Sequence, residues 1–349
     1  MIYLDSASMY PTLPCALKAF QEAPFGNPSS EHSAGKAARD ALEQARQVIA
    51  AKLYCEPEEV YITSTASEAA SMVMNSLARE CYNVIPSPFE HHAISENITN
   101  DFPFPKGTAL AQMHSNNEAG EILPFPADKL QDDTLFICDA TSSIGHVPIQ
   151  FRDPQHGFTY ATYMIGDALK FGGVPGAAFL IAHKNAPLSP LIRGGGQERG
   201  LRSGTENVPA ICAMAAALEW QTEHMQENTL MIGAVRSILL KMLSEIPRHK
   251  WNTPTQTPCL PHILNISFDG VDAHALTLLL SKEGVMVSPG AACSNGLNEP
   301  SHVIMAMYHD EARARSAIRL SFSHENTIDE AVEAGQKIKE AVAYLRSIA

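Results

Sequence analysis

Cys293 lies in GVMVSPGAACSNGLNEPSHV, residues 284–303, among Ser, Gly, Ala and Asn instead of the Leu, Ile or Val that surround a structural cysteine. A thiol in that company is wet and free to move, which an attacking thiolate must be. Lys170, in MIGDALKFGGVPGAAFL, is set among apolar residues and glycines. Desolvation there would lower its pKa and free the amine for imine chemistry, although most lysines before Gly-Gly simply reach solvent. Asp139 ends the apolar run TLFICD. A carboxylate at such a place either stabilises a positively charged ring nitrogen or caps the next turn. Arg319 sits inside the apolar stretch ARSAIRLSFS and needs a partner, for which a substrate carboxylate would be suitable.

Other segments add polar groups at strand ends. ITSTASEAAS places Thr65, Ala66 and Ser67 at a strand-to-helix junction, where exposed N–H groups and a hydroxyl favour a phosphate. The plainer reading is an N-cap by Ser67. EHHAIS supplies His91 and His92 after another strand, as catalytic groups or as the start of a helix. MHSNNEAGEI puts Asn116, Asn117 and Glu118 at the end of a strand, where open α/β sheets bind ligands and where polar turns also occur. RGGGQERGLRSGTEN, residues 193–207, packs five glycines and three arginines into one loop and invites an anion.

These groups need a frame. EVYITS, NVIPS, TALAQMH, TLFICD, TYATYMI and GAAFLIA read as short strands alternating with helical stripes, the pattern of an α/β protein. Ala38, Ala41, Leu42, Ala45 and Ile49 step along one helix face. Residues 206–243 read as one long helical stretch, LPHILNISF, DAHALTLLLSKEG and VMVS as strand, helix, strand, and Thr327 to Glu330 as a capping box opening the last helix. The expected division is a large α/β domain over 11–244 and a small α+β domain made of 1–10 and 245–349.

At 349 residues the chain is long enough to divide its core in two. A net charge of −13 argues against direct nucleic-acid binding, because gripping phosphates needs a basic face. Seven scattered cysteines without a CxxC pair point to thiols in a reducing compartment, the cytoplasm by default, and not to zinc or a disulfide framework. MIYLDSASMY lacks the features of a signal peptide, and no apolar run is of membrane-spanning length.

Taken in order, YLDSAS, FGNPSSEHSAGKAARDALEQAR, SNNEAG, DATSSIGHVPI, RGGGQERGLRSGTEN, SPGAACSNGLNEPSHV and AIRLSFS resemble the cysteine desulfurases of the NifS/IscS type, pyridoxal-phosphate enzymes of aminotransferase class V. The resemblance implies the fold of type I pyridoxal-phosphate transferases, with a large mixed-sheet domain and a small C-terminal domain carrying the cysteine loop. It implies that Lys170 carries pyridoxal 5'-phosphate, that Asp139 pairs with the pyridine nitrogen and that His91 stacks on the ring. Asn117 would contact the ring's phenolic side or the substrate. Ala66 and Ser67 would hold the phosphate, with Thr205 reaching it from a second subunit of a homodimer. Arg319 would grip the carboxylate of L-cysteine, and Cys293 would take the sulfur as a persulfide for a protein acceptor in iron–sulfur cluster assembly or thiolation.

The chain departs from the family pattern in one neighbourhood. A serine two residues before the lysine is here Asp167, a histidine immediately before it is Leu169, and a glutamine three residues after the aspartate is Ser142. The stretch from His91 to Asn117 is shorter than usual. These changes leave two alternatives beside the desulfurase: a selenocysteine lyase or other class V lyase, and a desulfurase-like scaffold with weakened catalysis.

Overall fold

The computed structural model describes residues 1–100, 102, 103, 105–131, 133–152, 161–290 and 299–348. The chain forms two compact units, one of residues 12–114 and 124–223, the other of 1–11, 115–123 and 224–349.

The first unit is built on a six-stranded sheet in the order Val60–Thr63, Ala178–Ala182, Tyr163–Asp167, Leu135–Asp139, Gly107–Ala111, Tyr82–Pro86. The last four of these are mutually parallel. Ala178–Ala182 runs antiparallel to both its neighbours, so Val60–Thr63 shares the direction of the parallel four. Five strands therefore deliver their carboxyl ends to one sheet edge, the edge at which open α/β sheets hold ligands. Every residue of Tyr163–Asp167 and Ala178–Ala182 is buried, as expected of strands covered on both faces. Gly166 is dictated by packing, because a Cβ there would lie 2.3 Å from the Phe179 ring. The helix Ser33–Leu53 buries Ala38, Leu42, Ala45 and Ile49, the stripe expected from their spacing.

The second unit has a four-stranded antiparallel sheet, ordered Ser288–Pro289, Ala317–Ser321, Ile263–Phe268, His249–Trp251. Its core joins Leu239 and Leu243, Phe268, Leu276, Leu320 and Ile338. The helical stretch expected over 206–243 is helical without a strand, as two helices, Val208–Glu223 and Met225–Ser244, that part at His224. The second of these packs on Ile328–Ile348, which is why it belongs with the C-terminal part of the chain. The N-terminal arm is stitched to the same sheet through Ser6 N–H to the Ser321 carbonyl and Ala7 N–H to the Ser321 hydroxyl. The capping box is present in both its bonds, Glu330 N–H to Thr327 Oγ1 and Thr327 N–H to Glu330 Oε2, each 3.1 Å. No described helix is long and apolar enough to cross a membrane.

Candidate active site

At the carboxyl edge of the first unit, four strand ends present the expected groups. Asp139 ends its strand, and its Oδ1 accepts the Thr141 N–H at 2.9 Å, so it caps the turn that carries Ser142. Lys170 closes a single 3₁₀ turn, Ala168–Lys170, directly after Tyr163–Asp167. His91 follows Tyr82–Pro86 and caps the short helix His92–Ser95. Its Nδ1 accepts the Ala93 N–H at 3.0 Å, which leaves Nε2 to carry the proton of the neutral ring. Ala66 and Ser67 open the helix Ala66–Arg79 after Val60–Thr63. The N-cap is Thr65, whose hydroxyl accepts the Glu68 N–H, and not Ser67 as expected. Thr65 has the extended backbone that a cap requires, whereas Ser67 is already inside the first turn.

Several groups that the sequence did not single out hold this edge together. His146 donates from Nε2 to the Lys170 carbonyl at 2.8 Å, and burial pushes its pKa down to about 4, so it acts as a neutral donor. His114, also lowered to about 4 by burial, shares a 2.7 Å hydrogen bond with the Ser143 hydroxyl. Glu90 is 2% exposed, and its Oε1 accepts the Ser87 hydroxyl at 2.6 Å and the Met113 N–H at 2.7 Å. Burial raises its pKa to about 7, and the negative charge of Asp139 pushes the same way.

That shift predicts a pH dependence. The folded protein keeps a proton on Glu90 up to about 7, whereas the unfolded chain releases it near the ordinary carboxylate value of roughly 4.3. Stability from this group is therefore greatest below roughly 4.3, falls through the window up to the folded value and levels off above it. Glu90→Gln is expected to flatten that fall and to exceed the parent protein by on the order of 2 kcal/mol at about pH 8. Urea unfolding of both proteins at about pH 5 and pH 8 checks this; parallel losses in the two would refute it.

The glycine-rich arginine loop does not present three free cations. Arg202 donates to Glu68 and to the Ser64 hydroxyl, and Arg199 donates to the Val60 carbonyl while lying 4.4 Å from the centre of the Tyr61 ring. Arg193 is exposed, and so is Thr205.

Asn117 and Arg319 belong to the second unit. Arg319, 2% exposed in its apolar strand, donates from Nη1 to the Asn117 carbonyl and from Nη2 to Asp5 Oδ1 and the Ser8 hydroxyl, at 2.8, 2.9 and 2.6 Å. The partner that its position demanded is thus supplied by the N-terminal arm. Its Nε is buried with no hydrogen-bond partner among the described residues. In the same unit the Glu118 carboxylate accepts the Ser301 hydroxyl and lies 3.1 Å from where a Gly290 Cβ would be, so one buried acid adjoins both residues. Cys293 lies outside the described residues.

An amine, a carboxylate and an imidazole at one sheet edge, next to a helix N-terminus, form a donor set suited to a pyridoxal ring. The buried Thr141 Oγ1 has no partner among the described residues, a polar atom that a ligand would satisfy. The phosphate end differs from expectation: the Ala66 N–H already donates to Asp167 Oδ2 at 2.9 Å.

Comparison with known proteins gives the family. A family model described as Aminotransferase class-V matches residues 2–100 and 104–333. An IscS-like cysteine desulfurase of Mycobacterium tuberculosis is 31% identical over 95% of each chain. The cysteine desulfurase NifS of Azotobacter vinelandii is 31% identical, covering 95% of this chain and 90% of that one. The X-ray structure of a NifS-like protein from Rickettsia africae superposes with a TM-score of 0.86 at 26% identity, covering 99% of both chains. Nearly the whole chain is matched by sequence and by fold, and it belongs to the class-V aminotransferases, among their pyridoxal-phosphate-dependent cysteine desulfurases.

Proposed function

We propose that the protein converts L-cysteine to L-alanine and passes the sulfur, through a persulfide on Cys293, to a protein acceptor for iron–sulfur cluster assembly or thiolation. The observation that carries this reading is the placing of Lys170 and Asp139 at the carboxyl ends of two adjacent parallel strands, with His146 fixing the lysine's carbonyl. Pyridoxal phosphate, when bound, supplies an electron sink for charge developing at the substrate Cα. Asp139 keeps the ring nitrogen protonated, and His91 covers the ring. The freed Lys170 amine moves the Cα proton. Arg319 fixes the substrate carboxylate, and Asn117 lies beside it. Ser67 and Ser142 complete the cofactor's polar contacts, and Thr205 completes them from a second subunit of a homodimer.

The Cys293 thiolate attacks the sulfur of the substrate. A sulfur–sulfur bond forms and the carbon–sulfur bond breaks; its electron pair stays with the substrate carbon, which is then protonated to give alanine. The six described cysteines are all free thiols, which suits work in the reducing cytoplasm. Mass spectrometry after incubation with L-cysteine tests the reading. The peptide carrying Cys293 is expected to gain one sulfur atom; alanine production with the sulfur on another cysteine, or on none, would overturn the assignment.

A further inference from the structure

Asp167 stands where this chain departs from its family, and its carboxylate is turned inward. The residue is 7% exposed; Oδ2 accepts the Ala66 N–H at 2.9 Å and Oδ1 accepts the Leu169 N–H at 3.1 Å. One side chain thus caps the turn that ends in Lys170 and takes the first N–H of the helix Ala66–Arg79. Resting on pyridoxal phosphate as the cofactor, we propose that Asp167 makes cofactor loading proton-dependent: its carboxylate and the cofactor's phosphate compete for the start of this helix, and binding takes up one proton from solvent.

The positive end of a helix carries roughly half a charge, which offsets part of one carboxylate and far less of a carboxylate beside a phosphate of about −1.5 to −2. Asp167 cannot swing away without uncapping the turn of Lys170. The charged groups around it do not remove the conflict. Lys170 favours the ionised form, Asp139 on the neighbouring strand opposes it, and Glu68 in the first helical turn is committed to Arg202 and the Ser64 N–H. The other flanking strand places Ala178 opposite Asp167 and adds no charge. Burial already pushes the Asp167 pKa upward, the direction in which a second anion would push it further.

The test compares the parent protein, Asp167→Ser and Asp167→Asn, each stripped of cofactor and titrated with pyridoxal phosphate and with unphosphorylated pyridoxal. At about pH 8.5 both variants are expected to bind pyridoxal phosphate at least about tenfold more tightly than the parent, one proton being worth up to about tenfold per pH unit. The gain should shrink by about pH 6.5 and be absent for pyridoxal. Calorimetry in buffers of different ionisation enthalpy should show the parent taking up about one proton more than either variant. Asp167→Asn retains a cap acceptor without the charge and serves if the serine variant folds poorly. Variants that bind pyridoxal phosphate no better than the parent at high pH, or that shift pyridoxal by the same factor, would overturn the proposal. A parent protein that fails to bind pyridoxal phosphate at all would instead refute the cofactor.

Discussion

Lys170→Ala is expected to purify without covalently held cofactor and to lose at least about 10³-fold in kcat, since the proposed mechanism makes Lys170 both the attachment point and the group that moves the Cα proton. The surrounding backbone should not change. The lysine turn is held from both sides, by Asp167 accepting the Leu169 N–H and by His146 donating to the Lys170 carbonyl, and neither bond uses the lysine side chain. Phe171, fully buried, anchors the next residue. The variant should therefore melt within about 1 kcal/mol of the parent, as substitutions of a half-buried side chain commonly do. Borohydride reduction followed by peptide mapping gives the readout: the parent peptide bearing Lys170 gains the cofactor's mass and the variant's does not. Added methylamine should restore part of the lost rate by replacing the missing amine. A variant that keeps a reducible attachment, or turns over within tenfold of the parent, would show that another lysine does this work.

The frame for that site was legible because strands buried on both faces leave unbroken apolar runs, and TLFICD and GAAFLIA are such runs. The capping box at Thr327 was legible because its two bonds span three residues. Longer-range facts were not. Arg319 announced that it needed a partner, but Asp5 lies more than three hundred residues away and is brought in by the pairing of Ile2–Tyr3 with Val285–Met286. Glu90 looked like any polar residue before a histidine, since only the fold buries it beneath Met113 and Ser87. Asp167 could be recognised as a charge in an unusual position, yet the donor that receives it comes from a helix about a hundred residues earlier. The cap at Thr65 does carry a sequence signal, the Thr-x-x-Glu spacing to Glu68. The break at His224 left none, because no Gly or Pro marks it.

Arg319→Ala is expected to lower kcat/KM for L-cysteine by about 10²–10³-fold, the equivalent of losing two charge-assisted hydrogen bonds to a carboxylate. The geometry says which donors are left to make them. Nη2 spends its two hydrogens on Asp5 and Ser8 and Nη1 one on the Asn117 carbonyl, which leaves the second Nη1 hydrogen and the buried Nε–H, the latter on an atom without a partner among the described residues. A guanidinium pinned at three points offers those N–H groups in fixed directions, which a lysine ammonium cannot reproduce; Arg319→Lys should lose nearly as much. The same three bonds also tie down the N-terminal arm, so a purely structural role would give a loss of activity as well. Cysteamine, which is L-cysteine without its carboxylate, separates the two. If Arg319 grips the carboxylate, its removal raises the KM of L-cysteine and leaves the inhibition constant of cysteamine unchanged. If it only fastens the arm, both ligands weaken together and the cofactor content falls with them. Asp5 is about a quarter exposed on its side chain and can regain water when the arginine is lost, so the stability cost should stay near 1–2 kcal/mol, below that of a fully buried orphaned charge. A loss of several kcal/mol with parallel weakening of both ligands would assign Arg319 to the fold and leave the substrate carboxylate to another donor.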